Sequence, residues 1–189
     1  MRNSASAIVT AFLAGLLLAA IYGPGLQGGF FFDDEPSILQ AEGVRLERLN
    51  AESLREALAS GRSGPSGRPV AQLSFAANHF FSGFDPYAFK VTNLVIHAFC
   101  GLLIFLLTLR LLAPQRWAPP RRHALLFAGL VAVLWLLHPL QLTPVLHVVQ
   151  RMTSLSALFL LAALLLHVIA RERGGRLGAL GLALAWGVL

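Results

Sequence analysis

Two adjacent carboxylates, Asp33 and Asp34, are the residues of this chain best suited to chemistry. Acidic side chains are scarce here: eight of the nine Asp and Glu residues fall between Asp33 and Asp85, and the ninth is Glu172. Neighbouring carboxylates near a low-dielectric surface repel each other, and such a pair suits a general base for a hydroxyl or a metal site that includes Glu35. The structural alternative is that one of these acids caps a short helix. The residues alone leave both interpretations open.

Arg151 is the second candidate. It ends a stretch from Arg122 with no Asp, Glu, Lys or Arg, and it precedes a predicted helix whose first turn contains Thr153 and Ser154. A guanidinium beside the free N–H groups of a helix N-terminus forms an anion site, and a lipid phosphate would fit it. The alternative is an interfacial arginine whose head group reaches water along its own stem.

Histidines and an asparagine form a weaker set of candidates. Asn93 and His97 lie four residues apart on one face of a predicted membrane span, where they either bond between helices or face a site. His138 and His147 could face a pocket, but the six histidines show no metal-ligand spacing. The sequence also has no Gly-rich nucleotide loop, nucleophile elbow or zinc signature, which argues against a soluble nucleotide-using enzyme.

The composition predicts that these residues are held by membrane helices. Of the 189 residues, 56% are hydrophobic, and the mean hydropathy is +0.68; roughly 45–50% apolar is typical of soluble domains. The apolar runs are about as long as a bilayer-spanning helix requires. We therefore predict an all-α polytopic membrane bundle, residues 1–189 being part of a transmembrane domain. The predicted spans are about 5–22, 91–112, 124–137, 152–170 and a truncated 177–189.

Charge sets the expected topology. The net charge is +6 and the pI is near 11.0, but the arginines concentrate in the connections 110–122 and 171–176, as in cytoplasmic loops. The basic balance therefore indicates topology, and we expect no nucleic-acid partner. The first loop, 23–90, is then predicted to lie outside. The first apolar run is either a retained signal-anchor or a signal peptide. Fourteen arginines against one lysine suggest a bacterial protein of the inner membrane.

Short helices are predicted within the first loop. The sequence predicts a turn at Asp33 leading into a helix with Pro36 near its start, a helix at 49–61 capped by Asn50, and a third helix at 70–81 ended by Gly83. Asp85 is predicted to cap the second span, with Pro86 as its first helical residue. We expect the 49–61 helix to lie on the membrane surface. The 138–147 segment, interrupted by two prolines, is predicted to be irregular and to line a pocket on the same face as the acid pair.

Several ordered motifs together resemble the membrane half of the tetratricopeptide-containing transmembrane O-mannosyltransferases and their bacterial relatives. The motifs are Phe32-Asp-Asp-Glu-Pro36, Gly67-Arg-Pro-Val-Ala-Gln-Leu-Ser-Phe-Ala-Ala-Asn78, Phe84-Asp-Pro-Tyr-Ala-Phe-Lys-Val-Thr-Asn-Leu-Val-Ile-His97, His138-Pro139 and Val148-Val-Gln-Arg-Met-Thr-Ser-Leu155. They extend from the first predicted span to the fourth. Where relatives often carry His-Pro-x-His-x-Glu, this chain has His138-Pro-Leu-Gln-Leu-Thr143.

The resemblance implies a glycosyltransferase of the GT-C fold that uses a sugar carried on a polyprenyl phosphate. It implies that Asp33 or Asp34 activates the acceptor hydroxyl, that Arg151 lies near the donor phosphate, and that Arg68 and Asn78 shape the site. His97 and His138 are further substrate-binding candidates. A divalent metal is possible, and no other cofactor is expected.

The expected partners are the lipid bilayer, the lipid-linked donor and an acceptor protein or glycan. Relatives usually continue through more spans into tetratricopeptide repeats, and we expect this chain to be the N-terminal part of such a protein, inactive as a fragment. Two other functions remain open: a non-catalytic membrane anchor for such repeats, and a transporter or lipid flippase.

Overall fold

A computed structural model describes residues 15–61, 67–113 and 119–173. Within these ranges the chain is helical and has no β-strand, which confirms the predicted all-α class. The helices are α1 Gly15–Leu26 and α2 Ala51–Ala59, α3 Pro69–Ser82, α4 Pro86–Leu112, α5 Arg121–Leu136, α6 Leu142–Leu146 and α7 Arg151–Arg173. A π-helical turn spans Glu35–Leu39, and 3₁₀ turns span Glu42–Val44, Pro139–Gln141 and Val148–Gln150.

Two of the described helices are long and apolar enough to cross a membrane. They are α4 and the helix that runs from Val148 to Glu172, which comprises most of α7 and the turn before it. The pair formed by α5 and Pro139–Leu146 is bent by 55° and gives a third span if it crosses as one unit. The predicted span 177–189 lies outside the described residues. The chain is thus a helical membrane protein.

Helix α4 packs between α5 and α7. Its contact with α5 depends on Gly101, because a Cβ atom built there would lie 2.6 Å from Cδ2 of Leu136. Near the other partner, the Arg110 guanidinium and the Glu172 carboxylate form an ion pair of 2.8 Å. Helix α4 is therefore held to α5 by close packing, and to α7 by packing and by an ion pair near the ends of both helices.

The first loop shares a core with the membrane helices. Phe75 of α3 and Phe89 of α4 are fully buried and lie 6.2 Å apart, ring centroid to ring centroid. The same cluster contains Ile38, Val44, Ala71, Ile96, Val148, Val149, Met152 and Leu155. Because residues of the loop, of α4 and of α7 exclude water together, the loop is a platform fixed to the bundle.

Single capping residues mark the ends of the helices in and next to the first loop. The Asn50 side chain accepts a hydrogen bond of 2.8 Å from the Ser53 N–H and caps α2. Gly83, with a φ of 60°, ends α3, since glycine adopts positive φ without a Cβ clash. Asp85 caps α4 by accepting a bond of 3.1 Å from the Tyr87 N–H. These three predicted boundaries are confirmed.

Part of the apolar stripe of α2 packs against the rest of the protein. Ala57 is fully buried and shares a small core with Leu46 and with Ala76 of α3. Leu54 is half-buried against the same cluster. Leu54 and Ala57 therefore pack against protein, whereas Leu58 on the same face is 39% exposed. The position of α2 on the membrane surface stays a prediction.

The 138–147 segment is more regular than its two prolines indicated. Pro139 starts a 3₁₀ turn and Pro144 sits in the first turn of α6. The first N–H groups of a helix have no intrahelical acceptor, so proline costs little at these positions. The segment therefore folds as two short helical turns, with extended backbone at His138 and at His147.

Candidate functional site

The acid pair sits on a tight turn between α1 and the π-helical turn. The Asp34 N–H donates to the Phe31 carbonyl at 3.1 Å, and the Glu35 N–H donates to the Phe32 carbonyl at 3.3 Å. Phe32 has a φ of 53°, a conformation that bulky residues rarely adopt and that must be held by surrounding contacts. The turn gives the two neighbouring aspartates opposite environments.

Asp34 is buried and hydrogen-bonded to backbone N–H groups. Its side chain has no solvent exposure. Oδ1 accepts the Val149 N–H at 2.6 Å, and Oδ2 accepts the Phe31 N–H at 2.9 Å. Charge-assisted bonds of this kind are stronger than neutral ones. Asp34 therefore clamps the first loop to the residues that open α7.

Lys90 fixes the other end of the same turn. Its ammonium is buried and donates to the Gly28 carbonyl at 2.8 Å and to the Gly25 carbonyl at 3.3 Å. Gly25 belongs to the last turn of α1, where carbonyls lack intrahelical partners and a cation is favourable. Lys90 thus joins α1 to the first turn of α4.

Asp33 is exposed and lines an open cavity of about 320 Å³. The lining residues are Asp33, Ser37, Arg68, Val149, Gln150 and Met152. No lysine or arginine of the described ranges forms an ion pair with Asp33. Its carboxylate is thus free to accept a proton or a hydrogen bond from a ligand, which the carboxylate of Asp34 is not.

Arg68 brings a positive charge to the same cavity. It directly precedes α3 with a φ of 51°, and its Nη1 lies 3.3 Å from the Met152 sulfur. A thioether is a weak acceptor, and no carboxylate within the described residues pairs with this guanidinium. Its remaining donors suit an anion such as a phosphate.

Arg151, predicted to lie near a phosphate, is enclosed by the helices. Its guanidinium is fully buried. It donates from Nε to Asn93 Oδ1 at 2.7 Å, from Nη1 to the Ser74 carbonyl at 3.0 Å, and from Nη2 to the Phe89 carbonyl at 2.8 Å. It also lies 4.7 Å from the centre of the Phe75 ring. These contacts join α3, α4 and α7 and leave the guanidinium inaccessible to a substrate.

His97 also lies within the bundle. It is 2% exposed, its ring stacks on Trp135 at 4.8 Å between centroids, and its Nε2 lies 3.0 Å from the Leu136 carbonyl. The Tyr22 hydroxyl donates to the same carbonyl at 2.7 Å. His97 and Tyr22 therefore bond to the buried carbonyl at the end of α5.

Asn78 and His138 stay outside the cavity lining. Asn78 Nδ2 lies 3.5 Å from the Ala88 carbonyl, linking α3 to α4, and its Oδ1 is buried without a partner within the described ranges. His138 is exposed and caps the 3₁₀ turn through Nδ1, which accepts the Leu140 N–H at 3.3 Å. Of the predicted substrate-binding residues, the cavity contains only Arg68.

The predicted metal ligands, Asp33, Asp34 and Glu35, are not arranged around one position. In the part of the chain that the structure describes, no group of three or more His, Cys, Asp or Glu side chains is placed to hold a metal ion. Both oxygens of Asp34 accept backbone N–H groups, while exposed Glu35 accepts from the Gln40 amide at 3.3 Å. Asp33 is therefore the one member of the set whose carboxylate faces the cavity.

Sequence reasoning did not assign roles to several site residues. Lys90 could have been noticed as the single lysine, placed at the start of a span. Ser37, Gln150 and Met152 carry no sequence signal, because only the packing of α7 against the first loop brings them together.

Comparison with known proteins identifies relatives. Protein O-mannosyl-transferase TMTC1 of Mus musculus is 28% identical over 182 residues, which cover 92% of this chain and 18% of the relative. TMTC4 of Homo sapiens is 28% identical over 187 residues, 92% of this chain and 25% of the relative. TMTC3 of Mus musculus is 31% identical over 154 residues, 79% of this chain and 16% of the relative. The chain is a homologue of these O-mannosyl-transferases.

The homology has clear bounds. The chain spans no more than about a quarter of the length of these relatives. No protein-family profile matches it, and no solved structure does. The O-mannosyl-transferases found are from mouse, human and nematode, so they give no support to the bacterial origin expected from the composition.

Proposed function

We propose that this chain contributes the catalytic cavity of a membrane glycosyltransferase that moves mannose from a polyprenyl-phosphate donor to a protein hydroxyl. The observation that carries the proposal is that Asp33 and Arg68 line one cavity and that, among the residues the structure describes, neither forms an ion pair. The names of the relatives supply the sugar and the type of acceptor.

Asp33 and Arg68 have separate roles in a single displacement reaction. Asp33 accepts the proton of the acceptor hydroxyl as its oxygen attacks the anomeric carbon. The bond from that carbon to the phosphate oxygen breaks, and the lipid phosphate leaves with the bonding electrons. Arg68 donates hydrogen bonds to the phosphate and stabilises the negative charge that grows on it. One displacement inverts the configuration at the anomeric carbon.

The surroundings of the cavity favour an anionic lipid donor. Val149, Gln150 and Met152 come from the opening turns of the helix that starts at Val148, and the positive end of a helix dipole attracts a phosphate. The same helix is long enough to cross the membrane. A donor whose phosphate sits at this end can keep its polyprenyl chain in the bilayer.

The chain's charge pattern supports an outward orientation. In the sequence, Arg110 lies near the end of α4 and Arg171 near the end of α7, whereas the cavity residues Val149, Gln150 and Met152 lie at the start of the last helix. Connections rich in arginine mark the cytoplasmic side. We therefore place the cavity on the side of the membrane away from the cytoplasm.

Replacing Arg68 tests the proposal. The assay uses membranes that contain the protein encoded by the longest natural reading frame that includes this chain. The substrates are labelled polyprenyl-phosphate mannose and an acceptor peptide rich in Ser and Thr. Arg68→Met should raise the KM for the donor about tenfold or more, because one charged hydrogen bond is worth roughly 1.5–3 kcal/mol. The matched control is Arg48→Met, since Arg48 is also exposed and in the first loop but not in the cavity.

The control should stay within about twofold of the unaltered protein, since a change at an exposed residue away from the site shifts energies by roughly 0.5 kcal/mol. Equal donor KM values for Arg68→Met and Arg48→Met would show that the donor phosphate does not bind in this cavity. No transfer of mannose by the unaltered protein would favour the non-catalytic anchor instead.

A further inference from the structure

His147 holds the turn that carries the acid pair. Its Nε2 lies 3.1 Å from the Phe31 carbonyl, and its ring meets the Phe31 ring edge-on at 5.9 Å between centroids. A carbonyl only accepts hydrogen bonds, so Nε2 carries the proton and donates it. The same nitrogen lies 3.7 Å from Asp34 Oδ1. His147 therefore ties the 138–147 segment to the turn without lining the cavity.

Phe31 is the centre of this arrangement. Its carbonyl accepts from His147 Nε2 and from the Asp34 N–H, and its own N–H donates to Asp34 Oδ2. The next residue is Phe32, with a φ of 53°, and the residue after that is Asp33. A conformation that costs of order 1–3 kcal/mol persists only when its neighbours fix it. The bonds to Phe31 supply that constraint two residues before the cavity carboxylate.

We infer that His147 is a positioning residue that holds the Asp33 carboxylate in the orientation that accepts the acceptor's proton. The inference rests on the function proposed for Asp33. His147 acts through the Phe31 carbonyl and does not touch the substrate. Its donor is present both in the neutral form protonated at Nε2 and in the imidazolium, so the bond does not require a charge on His147.

The consequence of losing this donor is a misplaced base. Without the bond, the turn can relax at Phe32 and rotate the backbone before Asp33. Small misplacements of catalytic groups reduce rates by up to about a hundredfold. Because the Asp34 bonds to Phe31 and Val149 remain, the expected loss is smaller, about tenfold in kcat, with little change in the KM for the donor.

Two replacements separate positioning from general stability. His147→Leu removes the donor, whereas His147→Gln places an amide N–H at about the position of Nε2. We expect His147→Leu to lower kcat about tenfold and His147→Gln to recover most of that loss. His123→Leu, a change at an exposed histidine of α5, is the matched control and should behave as the unaltered protein. Equal kcat values for His147→Leu and the control would overturn the inference.

A double replacement makes the test independent of folding losses. If His147 acts only through Asp33, His147→Leu should not lower the residual rate of an Asp33→Asn protein any further. An additional tenfold loss in that background would assign His147 a general structural role and overturn the inference. An Asp33→Asn protein with full activity would instead overturn the proposed function, so the two failures are distinguishable.

Discussion

Replacing Asp34 with asparagine should destabilise the protein while the same change at Asp33 does not. Asn keeps the shape of the side chain but has one acceptor oxygen and a donating NH₂ group. In the native fold, Asp34 accepts two backbone N–H groups, from Val149 at 2.6 Å and from Phe31 at 2.9 Å. An asparagine can satisfy one of them and must turn its own donors toward the other.

The magnitude follows from those two bonds. One charge-assisted bond, worth roughly 1.5–3 kcal/mol, becomes a neutral bond worth about 0.5–1.5 kcal/mol. The other is lost, and the buried N–H left without an acceptor costs about 1–3 kcal/mol. Together the change should cost about 2–4 kcal/mol, since part of the loss is recovered by not burying a charge. For a chain of this size, that lowers Tm by roughly 5–15 °C.

Thermal unfolding of the purified protein in detergent, followed by circular dichroism or by loss of a folded fluorescent fusion, measures the effect. Asp33→Asn is the isosteric control, and because Asp33 is exposed, its Tm should change by no more than about 2 °C. Equal melting temperatures for the two variants would refute the structural role given to Asp34. A larger loss for Asp33→Asn would reverse the two assignments.

Three further outcomes are expected from the packing. Arg151→Met removes the donors of three hydrogen bonds and should severely reduce the yield of folded protein, at about 1–3 kcal/mol per acceptor. A normal yield together with a raised donor KM would show instead that Arg151 binds the donor phosphate. Gly101→Leu should separate α4 from α5, because even a Cβ atom would lie 2.6 Å from a Leu136 methyl group. The Tm should fall by several degrees, since overpacking costs roughly 1–3 kcal/mol. An unchanged Tm would show that the two helices are not in close contact here. Asn50→Ala should cost about 1 kcal/mol through loss of the α2 cap, seen as faster proteolysis within the first loop, and an unaltered cleavage rate would contradict the cap.

Local signals allowed much of the fold to be predicted. The Asn50 cap, the positive φ of Gly83 and the Asp85-Pro86 start of α4 are read from single residues, because caps and glycine ends depend on chemistry within one turn. The apolar runs predicted α4 and α7 for a similar reason. Neither kind of signal specifies what a helix packs against, so the packing of Ala57 of α2 against Ala76 of α3 was not predicted.

The candidate site was only partly predictable. The sequence singled out Asp33, Asp34 and Arg68, yet the partners that separate their roles are distant along the chain: Val149 for Asp34 and Met152 for Arg68. Arg151 has the residue type of a phosphate ligand, but its burial depends on two other helices, α3 and α4, that no local pattern reports. Long-range packing therefore decided which charged groups face the cavity.

The rate of mannose transfer by an Asp33→Asn protein tests the central claim most directly. The measurement uses labelled polyprenyl-phosphate mannose and membranes in which the variant inserts and melts like the unaltered protein. Removing a general base typically costs 10²–10⁴-fold, so we expect kcat to fall by about a hundredfold or more while the donor KM changes little. Transfer at the unaltered rate would contradict the assignment of Asp33 as the base and of this cavity as the site of transfer.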